Sequence, residues 1–262
     1  MILMLGIRHG FDADHLAAID GMTRCNQQRR PKLARLAGVL FSVGHGLIIV
    51  PVSVGAATFS FDLKLPNWLD AFGTWTSVFI LLWLAGLNIV SVIRTPNDQQ
   101  VHLQGWRYGL LSRRVQVSNP LAVMTVGALF ALSFDTLSQA TLFAVISKKY
   151  QSWEVALGLA IAFVIGMLVT DGLNGLFISR LIKRADKSAR IASRTMALSV
   201  SSVSVLVAVI TIGAELSEDF DTWRDGKEAW FGFLIIGILI VSYFVGQRLA
   251  RTKAAPAIST MS

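Results

Sequence analysis

The feature that most limits how this chain folds is a series of long apolar runs separated by connections whose charge alternates in sign. Residues 35–58, 69–93, 120–146, 154–179, 195–214 and 229–247 each read as a helix. A run of about 20 apolar residues is long enough to cross the hydrocarbon layer of a bilayer. Only a helix, or a closed barrel, satisfies every backbone N–H and C=O there. The connections 23–34, 94–118, 180–194 and the tail after Gln247, with Arg35, hold 18 of the 24 Lys and Arg, and their acids are Asp98 and Asp186. The alternate connections set Lys64, Lys148, Lys149, Arg224 and Lys227 against nine acids, among them Glu215, Glu218, Asp219, Asp221, Asp225 and Glu228. Basic residues collect on the cytoplasmic side of membrane proteins. The expected location is therefore a bacterial cytoplasmic (inner) membrane, with the C-terminus in the cytoplasm.

Composition agrees with that reading. Hydrophobic residues make up 53% of the chain and charged residues 15%, at a mean hydropathy of +0.58, too apolar for a domain that must cover its core with polar surface. The expected fold is all-α, a polytopic transmembrane bundle of about seven helices, in one domain over residues 1–262. The net charge of +8 follows the loops and forms no patch, which excludes a nucleic-acid partner and leaves the lipid bilayer as the surface that the basic loops meet. Cys25 is the only cysteine, so no internal disulfide forms. No G-x-x-x-x-G-K-[ST] loop occurs, so the chain carries no nucleotide motor of its own, and no cofactor is expected. No clear internal repeat is visible, and the sequence is silent on oligomeric state.

Residues 1–22 read as a further helix, although Arg8, Asp12, Asp14, His15 and Asp20 make it too polar to be recognised by hydropathy alone. Seven crossings with a cytoplasmic C-terminus place Met1 outside. That start is unusual without a cleavable signal, and the expectation is either an upstream helix or a first helix inserted tail-out.

Within the spans the ionisable residues are Arg8, Asp12, Asp14, Asp20, Asp135 and Asp171, with His9, His15 and His45. Groups of this kind at bilayer depth are costly and mark ion paths, partners or cavities. Five carboxylates against one arginine make an anionic interior, which suits a cation. The densest cluster is Arg8-His9-Gly10-Phe11-Asp12-Ala13-Asp14-His15. Imidazole with carboxylate is the ligand set of borderline metals such as nickel, cobalt and zinc, whereas all-oxygen sites suit magnesium or calcium. On an ideal helix His9, Asp12 and His15 share one face and Asp14 faces away, so a regular helix cannot bring all four to one ion. Gly6 and Gly10 allow the backbone to open there, as in the discontinuous helices of transporters. Arg8 is also spaced to pair with Asp12 at i,i+4. His45, in Phe41-Ser42-Val43-Gly44-His45-Gly46, lies in a span that glycines and Pro51 allow to approach closely and bend, and it reads equally as a ligand or as a hydrogen-bonded core residue. Asp135 and Asp171 are single mid-span carboxylates, suited to an ion, a proton or an interhelical hydrogen bond.

The run Leu5-Gly6-Ile7-Arg8-His9-Gly10-Phe11-Asp12-Ala13-Asp14-His15-Leu16-Ala17-Ala18-Ile19-Asp20 resembles the signature of the nickel/cobalt transporter family, whose second helix carries H-x4-D-H. Phe41-Ser42-Val43-Gly44-His45 looks like the family's F-S-L-G-H segment, Phe134-Asp135-Thr136 like its G-F-D-T segment, and Gly166-Met167 with Asp171 like its G-M-x-L-x-D segment. The resemblance implies a permease that takes up nickel or cobalt ions as substrate, with His9, Asp12, Asp14, His15, His45, Asp135 and Asp171 as candidate metal ligands. It also implies eight helices with both ends in the cytoplasm, one more than this chain offers. Two acids of the family pattern are amides here, Gln139 and Asn174. Related exporters carry a histidine-rich loop where residues 94–118 hold only His102, which favours uptake.

A dication moving inward gains about 4.6 kcal/mol at 100 mV, so uptake needs no motor. An exporter or a proton-coupled carrier on the same scaffold is an alternative. An intramembrane metallohydrolase, with His9 and His15 on zinc and Asp135 or Asp171 as base, is another, although no H-E-x-x-H occurs.

Overall fold

The computed structural model describes residues 1–27, 29–59, 67–94, 119–188, 190–224 and 226–254. The side chains of some helical positions, Asp135 among them, lie outside the described residues, as do His102 and the rest of the 95–118 connection. Among the described residues every regular element is a helix: α1 (Ile2–Gly10), α2 (Ala13–Asn26), α3 (Pro31–Thr58), α4 (Asn67–Arg94), α5 (Pro120–Phe130), α6 (Phe134–Tyr150), α7 (Trp153–Ser188), α8 (Arg190–Leu216), α9 (Glu218–Arg224) and α10 (Glu228–Ala254). Five of them, α3, α4, α7, α8 and α10, are long and apolar enough to cross a membrane. Large apolar side chains such as Leu47, Phe79, Ile161, Leu206 and Val241 are exposed on the outside of the bundle, while Ser42, His45, Asn88 and Asp171 are buried inside it. This arrangement suits a bundle whose solvent is lipid.

The expected helix over residues 1–22 is two half-helices. Helix α1 stops at Gly10, Asp12 takes an extended conformation (φ −61, ψ 141), and α2 starts at Ala13. The expected single helix over 120–146 is also two. Helix α5 stops at Phe130, Ser133 is extended (φ −67, ψ 153), and α6 starts at Phe134. Both breaks end in the same way: Phe11 and Asp12 donate to the carbonyls of Arg8 and His9 at 3.0 Å, and Leu132 and Ser133 donate to those of Leu129 and Phe130 at 3.2 Å. These bonds reach back three residues and tighten the last turn, so the chain leaves the helix axis with its final carbonyls satisfied. Helix α7 is also longer than the apolar run predicts, continuing to Ser188 through part of the basic connection.

Helices α3 and α7 cross at the centre of the bundle and run antiparallel. Gly38 backs onto the Asp171 carbonyl and Gly46 onto Val164, so position numbers fall along α7 as they rise along α3. Small residues at the crossing allow the backbones to meet, which is how helices gain packing energy where hydrophobic burial supplies little.

The contacts of the two halves repeat, contrary to the expectation from the sequence. The step from Pro31 to Trp153, the starts of α3 and α7, also separates Phe41 from Phe163 and Gly44 from Gly166. Gly6 of α1 backs onto the Phe163 carbonyl, and Gly127 of α5 onto the Phe41 carbonyl; Gly166 meets the Leu3 carbonyl, and Gly44 that of Met124. Helices α1 to α4 are therefore matched by α5 to α8. Because the matched helices α3 and α7 run antiparallel, the two repeats are inverted with respect to each other, and α10 stands outside the pair. Sequence inspection misses this because likeness survives mainly at glycines and rings that touch across the bundle.

Candidate metal centre

The two breaks meet at the centre of the bundle and carry their polar residues with them. His9 ends α1, His15 lies in the first turn of α2, and His45 lies midway along α3. All three are buried, at 7%, 2% and 0% exposure. One ring nitrogen from each lies within 4.8 Å of the others. The ring centroids stand 4.7 Å apart for His9 and His15, 5.3 Å for His9 and His45, and 5.1 Å for His15 and His45. A continuous helix would place His9 and His15 more than one turn apart along its axis. The break at Phe11 and Asp12 folds that separation away.

Around the imidazoles stands a shell of oxygen atoms. Asp171 Oδ2 lies 3.6 Å from His15 Nδ1 and accepts a 2.7 Å hydrogen bond from Ser42 Oγ. Asp12 Oδ2 lies 4.0 Å from His9 Nδ1. Thr136 Oγ1, in the first turn of α6, is 3.0 Å from His45 Nε2 and 3.3 Å from His9 Nε2. Three buried atoms in this group have no hydrogen-bond partner: Nδ1 of His15, Nδ1 of His45 and Oδ1 of Asp171. Phe41 packs on His15 at a centroid distance of 4.9 Å and Phe163 on His9 at 5.3 Å, walling the cluster with aromatic rings.

Asp14 is placed differently from the histidines. Its Oδ1 accepts from the backbone N–H of His15 at 2.8 Å, in the first turn of α2, where its charge also opposes the positive end of that helix. With Asp12, His9 and His15 it faces a polar vestibule that is also lined by Thr74 and Ser77 of α4 and by Thr211 and Glu215 of α8. Asp135 stands at the second position of α6, with its side chain outside the described residues. The two amides lie close by in sequence. Asn174, one turn beyond Asp171 on α7, donates from Nδ2 to Asp20 Oδ1 at 3.2 Å, and the Gln139 Oε1 is buried with no partner. Sequence reasoning did not single out Thr136 or Ser42, although both sit inside the F-D-T and F-S-V-G-H segments.

A bundle with five helices long and apolar enough to cross a membrane, and with two broken helices meeting at a buried polar site beside a vestibule, has the build of an integral, multi-pass membrane protein of the transporter class. Residues 1–250 match the model of the NicO family, described as high-affinity nickel-transport protein, and the chain belongs to that family. It is similar to the nickel transporter NixA of Staphylococcus aureus, 28% identical over 92% of this chain and 80% of the relative. It is likewise similar to the high-affinity nickel transport protein of Cupriavidus necator, 28% identical over 95% of this chain and 81% of the relative. The NixA protein of Helicobacter pylori is 27% identical over 93% of this chain and 85% of its own length. No solved structure matches this chain.

Proposed function

We propose that this chain, as a single transport domain, takes up nickel or cobalt ions across the cytoplasmic membrane. The observation that carries the proposal is the trio of buried imidazoles, His9, His15 and His45, with ring nitrogens within 4.8 Å of one another. Three imidazoles with a carboxylate at the edge form a site for a borderline dication and a poor one for magnesium or calcium. The unpartnered Nδ1 atoms of His15 and His45 and Oδ1 of Asp171 support this reading. Buried polar atoms without partners cost free energy, and a bound cation supplies the missing partner.

In this mechanism Asp12 and Asp14 draw the hydrated ion into the vestibule, since carboxylates in a low-dielectric cleft raise the local cation concentration. Nitrogen atoms of His9, His15 and His45 then replace water, while Asp171 balances charge; Asp135 is a further candidate ligand on the family resemblance alone. Thr136 and Ser42 hold His45, His9 and Asp171 in place. The vestibule opens toward the acidic connection at α9, which the charge alternation assigns to the outside, and the C-terminus lies in the cytoplasm. The membrane potential drives the dication inward.

Radiolabelled nickel and cobalt uptake into cells expressing the chain tests the reading. His15→Ala is expected to abolish uptake while the protein stays inserted and abundant, and to remove the cobalt absorption bands of the purified protein. Normal uptake by that variant removes the site from contention.

A further inference from the structure

We infer that the ion leaves through a second mouth, between the far halves of α4 and α8, and that this mouth opens when α2 and α6 exchange occupancy of the cleft between those two helices. The inference rests on the transporter reading and adds the exit route and the moving parts.

The register of the repeats carries the argument. The step from Asn67 to Arg190, the starts of α4 and α8, takes Ser77, Val78, Leu81, Leu84 and Ala85 onto Val200, Ser201, Ser204, Val207 and Ala208, and all ten are buried. The same step takes Thr74 to Ala197, Asn88 to Thr211, Ser91 to Ala214 and Val92 to Glu215. Thr74, Thr211, Ala214 and Glu215 line the open vestibule. Their counterparts are sealed: Asn88 and Ser91 are buried, and Val92 packs on Ala197 in a small closed cluster. Equivalent positions are therefore open at one end of the α4–α8 pair and shut at the other.

The half-helices show the same asymmetry. Helix α2 packs against both α4 and α8, with Leu16, Ala17, Ala18, Ile19 and Met22 at 0% exposure. Its counterpart α6 packs on α3 and α7 and barely touches α4. Helix α2 thus fills the far half of the cleft, and the near half, which α6 does not enter, is the vestibule. Exchanging the two environments gives a second conformation in which contacts of α2 with α4 and α8 are replaced by contacts of α6 at the matched positions of the other repeat. Two states of closely matched free energy are what a transporter requires.

The hinges are already present as the breaks at Phe11–Asp12 and Ala131–Ser133. The other halves, α1 and α5, form the fixed frame. Gly6 against Phe163 and Gly127 against Phe41 are matched contacts, and the His9–Phe163 and Phe41–Phe130 ring pairs both stand 5.3 Å apart. The ligands are not duplicated, because the positions matched to His9, His15 and His45 are Phe130, Thr136 and Met167. One site is therefore served by two mouths.

The test uses the full chain with Cys25→Ala, in cells, and a small membrane-permeant maleimide. Asn88→Cys is expected to react roughly fivefold faster or more when nickel is added, and Thr211→Cys to slow by a similar factor. In Val92→Cys/Ala197→Cys, a short thiol-bridging reagent is expected to cut uptake at least about tenfold, reversed by reductant, and to hold Thr211→Cys reactive in the triple variant. Asn88→Cys unreactive with and without nickel, or a bridged protein that transports at the unbridged rate, overturns the inference. Reciprocal labelling in a protein that moves no nickel or cobalt overturns the cargo and keeps the two mouths. Uptake with static labelling overturns the two mouths alone.

Discussion

Nδ1 of His15 stands 3.6 Å from Oδ2 of Asp171, with both side chains closed to solvent at 2% and 0% exposure. The pair joins the first turn of α2 to the middle of α7, so this carboxylate adds a negative charge beside a proposed ligand. Asp171→Asn keeps the volume and the Ser42 contact but removes the charge. An interaction with a charged partner is worth about 1.5–3 kcal/mol, and 1.4 kcal/mol is about tenfold in affinity. The half-saturating nickel concentration is therefore expected to rise by about tenfold or more, read from initial uptake rates over a concentration series at fixed membrane potential. An unchanged value would mean that Asp171 only packs the bundle.

The close approach of α3 to α7 and to α5 makes a stability prediction independent of metal. A Cβ at Gly38 would collide with the Asp171 carbonyl, and one at Gly44 with that of Met124, whereas one at Gly86 meets nothing within 4 Å. Backbone atoms cannot move aside as a flexible side chain does. Gly38→Ala and Gly44→Ala are each expected to cost about 2–4 kcal/mol, in the range of overpacking and strain in a core, and Gly86→Ala is expected to be neutral or slightly stabilising. Thermal unfolding of the purified variants without metal decides this, and equal melting of all three would contradict the close crossing.

Topology is open to a direct check. Ser217, in the acidic connection between α8 and α9, and Lys183, near the far end of α7, are both exposed. With Cys25→Ala as background, Ser217→Cys is expected to react with an impermeant thiol reagent added to intact cells, and Lys183→Cys only after the membrane is opened. Labelling of Lys183→Cys in intact cells reverses the orientation and with it the direction assigned to the vestibule.

Much of the bundle was legible in the sequence because a membrane span has a length and a composition that must appear as a continuous run of residues. Helices α3, α4, α7, α8 and α10 start or stop within a few residues of the apolar runs, apart from the extensions of α7 to Ser188 and of α10 to Ala254. The break in the first helix was also foreseeable, since His9, Asp12, Asp14 and His15 cannot all face one ion from a regular helix, and Gly6 and Gly10 lie beside them. The break at Ala131–Ser133 was not. Leu129 to Leu137 reads as one apolar segment apart from Ser133, Asp135 and Thr136, and hydropathy does not register a change of backbone direction.

The sequence by itself determined that this chain lies in a membrane, that the charge of its connections alternates, and which residues are chemically able to offer a metal ligands, because hydropathy and charge are properties of residues in order along the chain. Only the tertiary structure decided that His45, thirty positions beyond His15 and on another helix, closes the imidazole trio, that Thr136 reaches it from the second repeat, and that the two halves are inverted copies with one end open. Those outcomes depend on where two helix breaks meet and on which glycines let backbones touch. Both are contacts across the bundle, and linear order does not encode them.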